Sequence, residues 1–363
     1  MSSGSSLVAD LDDAVVVGSG INSLACAALL ARGGWRVRVL EREDHLGGTI
    51  QTAEITEPGY VHDVFSAWHP LWVGGAAHAE LGDELAARGL EYLNTEHPTA
   101  TLFPDGEAAF LFRSTDANVA ELGPEWREAV KAFLPNADLA FGVLGTELWS
   151  KDGLGLALRA YRRLGRRGAV EFTGNVLASS RDWLTETFAS PRTHGLLAPW
   201  VLHTGLGPDA AASGFMTQVI GVAVQEGGMP IPRGGGARLV DALVRLIEDH
   251  GGACEAGRDV ERVLVRDGQA QGVRLADGEE IRASRAVIAN VTPTQLYGRL
   301  LEGDGPVAER GVVLGKKSGL DSIRIKAEEL GLDLPEERRA EVLLALEHPH
   351  APTAPGEQRR AGQ

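Results

Sequence analysis

Gly18, Gly20 and Glu41 are the residues of this 363-residue chain whose types and spacing could do chemistry together. They stand in the stretch DAVVVGSGINSLACAALLARGGWRVRVLEREDHLGG, residues 13–48. A first glycine permits a tight turn, and a second lets the backbone approach a pyrophosphate. The first turn of a following helix then offers free N–H groups and the positive end of its dipole to the phosphates. Ser19, Asn22 and Ser23 lie in the same loop and turn and join the candidates, with Ser23 at the place of the usual third glycine. Serine is small, so close packing of helix on strand survives. Glu41 follows Gly18 by 23 residues, near the spacing of about 20 expected of the acid that bonds the ribose hydroxyls. An acid there disfavours a 2′-phosphate, so FAD or NAD fits better than NADP. Arg42 follows the acid, and Gly47-Gly48-Thr49 adds a second loop whose N–H groups can face the pyrophosphate. Coupled to the first motif, this glycine pair points to FAD.

The elements that must position these residues are readable on either side of them. Ala14 to Val17 is a short valine-rich run, the mark of a strand buried on both faces. Leu24 to Arg32 has alanine and leucine at helical density, and Arg36 to Leu40 is a second β-branched run ending on the acid. Strand, helix and strand make a dinucleotide-binding βαβ unit, the context without which two glycines mean little.

Composition bounds the rest. The chain is long enough for one large or two medium domains. Its 44% hydrophobic and 23% charged residues are those of a globular protein. A net charge of −15 argues against nucleic acid and against anionic lipid as electrostatic partners. Cys26 and Cys254 form no short-spaced motif, which implies a reducing, cytoplasmic location. No stretch approaches the roughly 18 apolar residues of a membrane span. The Ser-rich residues 1–10 lack the pattern of a signal peptide and read as a loose N-terminus. No Ser–His–Asp or metal-ligand spacing appears in the helical region that runs up to Val224.

Further along, residues 58–75 are rich in aromatics, with Tyr60, Phe65, Trp68 and Trp72 beside His62 and His69. Core packing and an apolar pocket beside a cofactor account for them equally well. Residues 91–112 read as strands, with a Pro104-Asp105-Gly106 turn. From residue 116 to about 188 the period becomes helical, with Trp126, Val130 and Phe133 on one face and Leu154, Leu158, Tyr161 and Leu164 on another. Five arginines between 159 and 167 form the one basic patch. It reads first as a solvated helix face, with a lipid surface or a partner as the alternative. GGMPIPRGGGARLVDALVRL, residues 227–246, fixes an extended segment and then an amphipathic helix. Three short strands (259–265, 272–275, 280–283) and a separate buried strand over 286–290 follow. Ala289 would lie near the cofactor crevice of a doubly wound sheet.

Residues 13–72, including GYVHDVFSAWHPLW, and the P-x-G-G segment at 232–235 together resemble the phytoene desaturase-like FAD-dependent oxidoreductases, part of a wider flavoprotein group that includes the amine oxidases. The resemblance implies an α/β architecture: a Rossmann-like FAD-binding domain (βαβ plus β-meander) from 11–75 and 227–300, and an inserted, mostly helical substrate domain over 76–226. It also implies that the backbone of Val260 bonds the adenine. An arginine commonly follows the glycine pair in that group, and Thr49 stands here instead. The implied activity is hydride transfer from an apolar small molecule to FAD, with no catalytic side chain assigned. A homodimer and peripheral membrane contact are the partner expectations.

The resemblance runs to about Leu301. Complete members continue with a Gly-rich strand and helix that cap the flavin, so the expectation is a shortened or fused chain of weak or no activity. Residues 311–346, with GKKSG and LGLDLPEE, resemble instead the linker region of the isopropylmalate and homocitrate synthases, and read as two helices before a disordered end. The tail is therefore 301–363, helical then disordered. Two other functions compete: a non-catalytic dinucleotide-binding or interaction protein, and an NAD-dependent dehydrogenase.

Overall fold

A computed structural model describes residues 11–147 and 150–301, which form two compact units. One comprises the described residues up to Ala53, Glu84–Gly89 and those from Ala237; the other comprises Glu54–Asp83 and Leu90–Gly236. The Ser-rich start and the tail from 302 onward, with its expected helices, lie outside the described residues.

The first unit is built on six strands: β1 (Asp12–Val17), β2 (Val37–Leu40), β3 (Ala253–Glu255), β4 (Val260–Arg266), β5 (Gln269–Leu275) and β6 (Glu280–Ala289). Their order is β4-β5-β6-β1-β2-β3. β1 runs parallel to β2 and to β6, and β2 parallel to β3, while β4, β5 and β6 form an antiparallel meander. This is the Rossmann-type α/β arrangement. Helices α1 (Ile21–Arg32) and α2 (Ala237–Asp249) belong to this unit and pack on each other. Leu239, Val240, Leu243, Leu246 and Ile247 recur at helical spacing on α2, and all are buried. On the sheet, Val15, Val17 and Leu40 join Val260, Val263, Val273 and Ile281 in one apolar layer. The alternate residues Ala14, Val16 and Val39 are also buried, as a strand covered on both faces requires.

One expectation is corrected here. Residues 280–283 and 286–290 are not two strands: Glu280–Ala289 is one strand of 10 residues. Its first residues pair antiparallel with β5 and its last with β1 in parallel register. No glycine or proline interrupts residues 280–289, so nothing forces a turn where the strand changes partners.

In the second unit the hairpin forms as expected, with Thr99–Leu102 paired to Ala108–Leu111 across the Pro104-Asp105-Gly106 turn. Helices then pack around Trp126, Phe188, Leu196, Leu197 and Phe215. A buried polar knot ties this core together. Gln225 Oε1 accepts from Asn118 Nδ2 at 2.8 Å and from Trp126 Nε1 at 2.7 Å. The Lys151–Leu177 helix is interrupted at Gly165, whose φ of +67° only glycine adopts without strain. Its helical spacing is as expected, but Gly153 and Leu156 are its buried residues, and Leu154, Leu158 and Tyr161 are exposed.

The aromatic run divides. Trp68 packs edge-on against Trp200 at 5.5 Å, whereas Tyr60 and Phe65 are exposed. His69 is buried, donates its backbone N–H to the Pro230 carbonyl, and lies with Nδ1 3.1 Å from the Tyr92 hydroxyl. Burial keeps its imidazole below the usual histidine range, and burial raises the Tyr92 phenol.

Candidate dinucleotide-binding site

The site is built where β1 ends. Gly18, at φ +89°, turns the chain out of the strand, and its N–H donates to the Leu40 carbonyl at 2.8 Å. Gly20 is the N-cap of α1, without a side-chain cap. The N–H groups of the first turn, from Ile21 to Ser23, thus point out of an uncapped 12-residue helix.

The second glycine loop lies against the first. Gly20 and Gly47 form a parallel backbone bridge. Gly47 has φ +110°, and a Cβ there would come within 2.6 Å of Val240 on α2 and 2.9 Å of the Ile50 carbonyl. Only glycine fits that position. A Cβ on Gly48 would stand 3.3 Å from the Gly20 Cα. Two loops separated in sequence by a helix and a strand are therefore one surface in space.

Ser19 and Glu41 lock the two loops together. Glu41 Oε2 accepts from the Ser19 backbone N–H at 2.8 Å and from the Ser19 hydroxyl at 2.7 Å. The Gly47 N–H in turn donates to Ser19 Oγ at 3.0 Å. Glu41 Oε1 accepts from the Glu43 N–H at 3.1 Å. Burial pushes the Glu41 carboxyl up, but the Ser19 and backbone donors outweigh it and hold the group below the ordinary carboxylate range. Glu41 is an ionised acid at the C-terminal end of β2, beside the first glycine loop.

Other expected residues reach the same corner. The N–H of Gly257 donates to the Glu43 carbonyl at 2.7 Å, and that of Arg258 to the Glu41 carbonyl at 2.6 Å. Val260, two residues on, opens β4 and is buried. Ala289 pairs with Val17 at the end of β6. The next residue, Asn290, donates from its amide to the Ser23 hydroxyl at 3.1 Å. The serine in the third glycine position therefore tethers α1 to the end of β6.

The side chains of three candidates make no contact within the site. Asn22 and Thr49 are exposed, and no hydrogen bond of their side chains is present among the described residues. Arg42 turns to Glu43, its Nε 2.9 Å from the carboxylate. Val240 and the 257–258 backbone help form the site but carried no local sequence signal. Val240 reads simply as one more apolar residue of α2.

Gly20 tests whether a cofactor fits. Its φ of −55° suits any residue, and a Cβ there would meet nothing within 4 Å. Neither backbone strain nor packing asks for glycine at this position. A group approaching the backbone from outside does. The residues fit the ADP half of FAD: a bare helix N-terminus for its pyrophosphate, and a buried, ionised acid at the end of the second strand.

Comparison with known proteins places the chain in a family. The pattern described as flavin containing amine oxidoreductase matches residues 24–306. A phytoene desaturase (neurosporene-forming) of Cereibacter sphaeroides is 28% identical over 308 residues, covering 80% of this chain and 55% of that protein. A phytoene desaturase of Cercospora nicotianae is 29% identical, covering 82% and 48%. A limonene dehydrogenase subunit from Castellaniella defragrans is 25% identical, covering 80% and 53%. This chain thus spans about half the length of these curated relatives. Among solved structures, a putrescine oxidase variant superimposes with a TM-score of 0.51 at 19% identity, covering 80% of this chain and 60% of that one. An oxidoreductase from Methanosarcina mazei gives 0.50 at 18% identity, covering 86% and 64%. These likenesses agree with the Rossmann-type fold. The chain belongs to the flavin-containing amine oxidoreductase family, as a phytoene desaturase-like member whose cofactor is FAD.

Proposed function

We propose that this chain binds FAD through Gly18 to Ser23, Glu41 and Gly47-Gly48, and serves an oxidoreductase that removes hydride from an apolar small molecule. The observation that carries the reading is Gly20, which is free of strain and of neighbours yet is glycine in a loop that also presents an uncapped helix N-terminus. Ile21 to Ser23 offer N–H groups to the pyrophosphate. Glu41, held by Ser19, faces the ribose, and the backbone at Val260 bonds the adenine. Flavin, when bound, accepts the hydride, so the protein's part is to orient the substrate and exclude water. An apolar substrate is supported by the phytoene desaturase and limonene dehydrogenase relatives. The helical second unit, with its core of aromatic and aliphatic side chains, is the part we assign to substrate. A reducing, cytoplasmic setting follows from the two cysteines, both free in the structure.

The test is purification followed by titration. Bound flavin absorbance, or FAD uptake on reconstitution with NADH failing to compete, is the expected result. A colourless protein that binds NADH tightly and takes up no FAD overturns the proposal.

A further inference from the structure

Glu41 uses most of its hydrogen-bonding capacity inside the chain. A carboxylate offers about four lone-pair positions, half of them on each oxygen. Oε2 accepts from the Ser19 backbone N–H at 2.8 Å and from the Ser19 hydroxyl at 2.7 Å, which fills both of its positions. Oε1 accepts from the Glu43 N–H at 3.1 Å. Of the about four positions, the one left over is therefore on Oε1. The adenosine ribose of FAD has two hydroxyls, and an acid so engaged can serve only one.

The Ser19 hydroxyl is not free to turn away. Its oxygen accepts from the Gly47 N–H at 3.0 Å, so its single proton is directed at Glu41. Ser19 is fully buried, and solvent offers the hydroxyl no other partner. Exchanging this bond for one to a ribose hydroxyl would leave a buried proton donor unpaired, a loss comparable to the bond gained. The fold thus holds Oε2 for the loops, and Oε1 is the atom through which the acid can meet a ligand. The side chain between Gly18 and Gly20 sets that division, because an alanine or glycine there would leave one position on Oε2 open.

We propose, resting on the flavin reading of this site, that Ser19 is a specificity-determining residue. By occupying Glu41 Oε2 it limits the acid to one ribose hydroxyl of FAD, bonded through Oε1. The site then tolerates loss of one ribose hydroxyl and not of the other.

Full-length protein is titrated with FAD and with its 2′-deoxyadenosine and 3′-deoxyadenosine counterparts, each followed by flavin fluorescence. Wild type, Glu41→Ala and Ser19→Ala are compared, and a loss is attributed to Glu41 only where Glu41→Ala removes it. In the wild type one counterpart should bind at least roughly tenfold more weakly than FAD, as for one lost hydrogen bond to a charged group, and this difference should vanish in Glu41→Ala. The other counterpart should show no difference that depends on Glu41. Ser19→Ala should add a second loss, roughly threefold or more, on the counterpart that the wild type tolerates. A merely structural role for Ser19 would weaken all three ligands alike. Thermal unfolding of each variant controls for misfolding, and Ser19→Gly, which also removes the hydroxyl, makes the same comparison should Ser19→Ala fold poorly. A Glu41-dependent loss on both counterparts in the wild type, or on neither, overturns the proposal. So does a Ser19→Ala protein in which the ratios among the three ligands stay as in the wild type. A protein that takes up no FAD at all removes the flavin reading itself, and the proposal with it.

Discussion

At the scale of single residues, the site separates two reasons for glycine. Gly47 is required by the fold, because its positive φ and the nearness of Val240 exclude any side chain. Gly20 is required only by what approaches it. The two substitutions therefore have opposite signatures. Gly20→Ala should change stability by no more than about 1 kcal/mol, because the gain from a stiffer unfolded chain and the loss of a preferred N-cap residue oppose each other. It should weaken FAD at least roughly tenfold, about 1.4 kcal/mol, because the methyl group takes the place of the approaching phosphate. Thermal unfolding and FAD titration of one preparation measure both, and a loss of stability with unchanged affinity would reverse the assignment. Glu41→Ala should weaken FAD by about 1.5–3 kcal/mol for each charge-assisted hydrogen bond lost. Unchanged affinity would mean that Glu41 does not reach the ribose. Its contribution to folding has a definite pH sign. The folded carboxyl sits below its ordinary value, so the unfolded chain takes up the proton first as pH falls. The Ser19–Glu41 lock is thus fully stabilising above the ordinary carboxylate range and is lost on acidification through the folded value. Denaturant midpoints across that range should show this acid-side loss in the wild type and a reduced one in Glu41→Gln.

Elements explain how such residues come to be neighbours. The glycine loop at 18–20 and the one at 47–48 are joined because β1 and β2 run parallel and both chain exits leave the same end of the sheet. Helix α2 then supplies Val240 as the wall behind Gly47. Gly47→Ala should cost about 1–3 kcal/mol through strain at positive φ, and adding Val240→Ala should recover only the steric part. Full recovery in that double variant would show that φ is not the obstacle. In the helical unit, Gln225 accepts from two buried donors at once. Gln225→Leu leaves both unpaired, a loss of about 1–3 kcal/mol for each orphaned group, read from a shifted urea midpoint.

For the molecule as a whole, the division into two units has a thermodynamic consequence. A ligand stabilises only what it binds, so FAD should raise the unfolding temperature of the β1–β6 unit. The stabilisation reaches about 2.7 kcal/mol when FAD is at a hundred times its dissociation constant. If the helical unit melts separately, its transition should stay in place, and calorimetry with and without FAD distinguishes the two. Equal shifts of two resolved transitions would show that FAD is held by both units.

Much of this was legible before any coordinate. Valine runs that end on glycine or on an acid read as buried parallel strands, and the spacing from Gly18 to Glu41 is set by the length of one helix and one strand. Local chemistry therefore determined the βαβ unit, the hairpin, the helical stretch and the glycine pair. The flavin family followed from the same residues. Tertiary structure decided what depends on contacts distant in sequence. It made one strand of residues 280–289, because the same extended segment serves two different neighbours. It turned Leu154, Leu158 and Tyr161 outward, since periodicity identifies a helix's faces but not which of them finds a partner. And it gave Glu41 a grip on Ser19 and, through it, on Gly47. A hydrogen bond across 22 residues of sequence leaves no local pattern, and only the folded sheet brings its ends together.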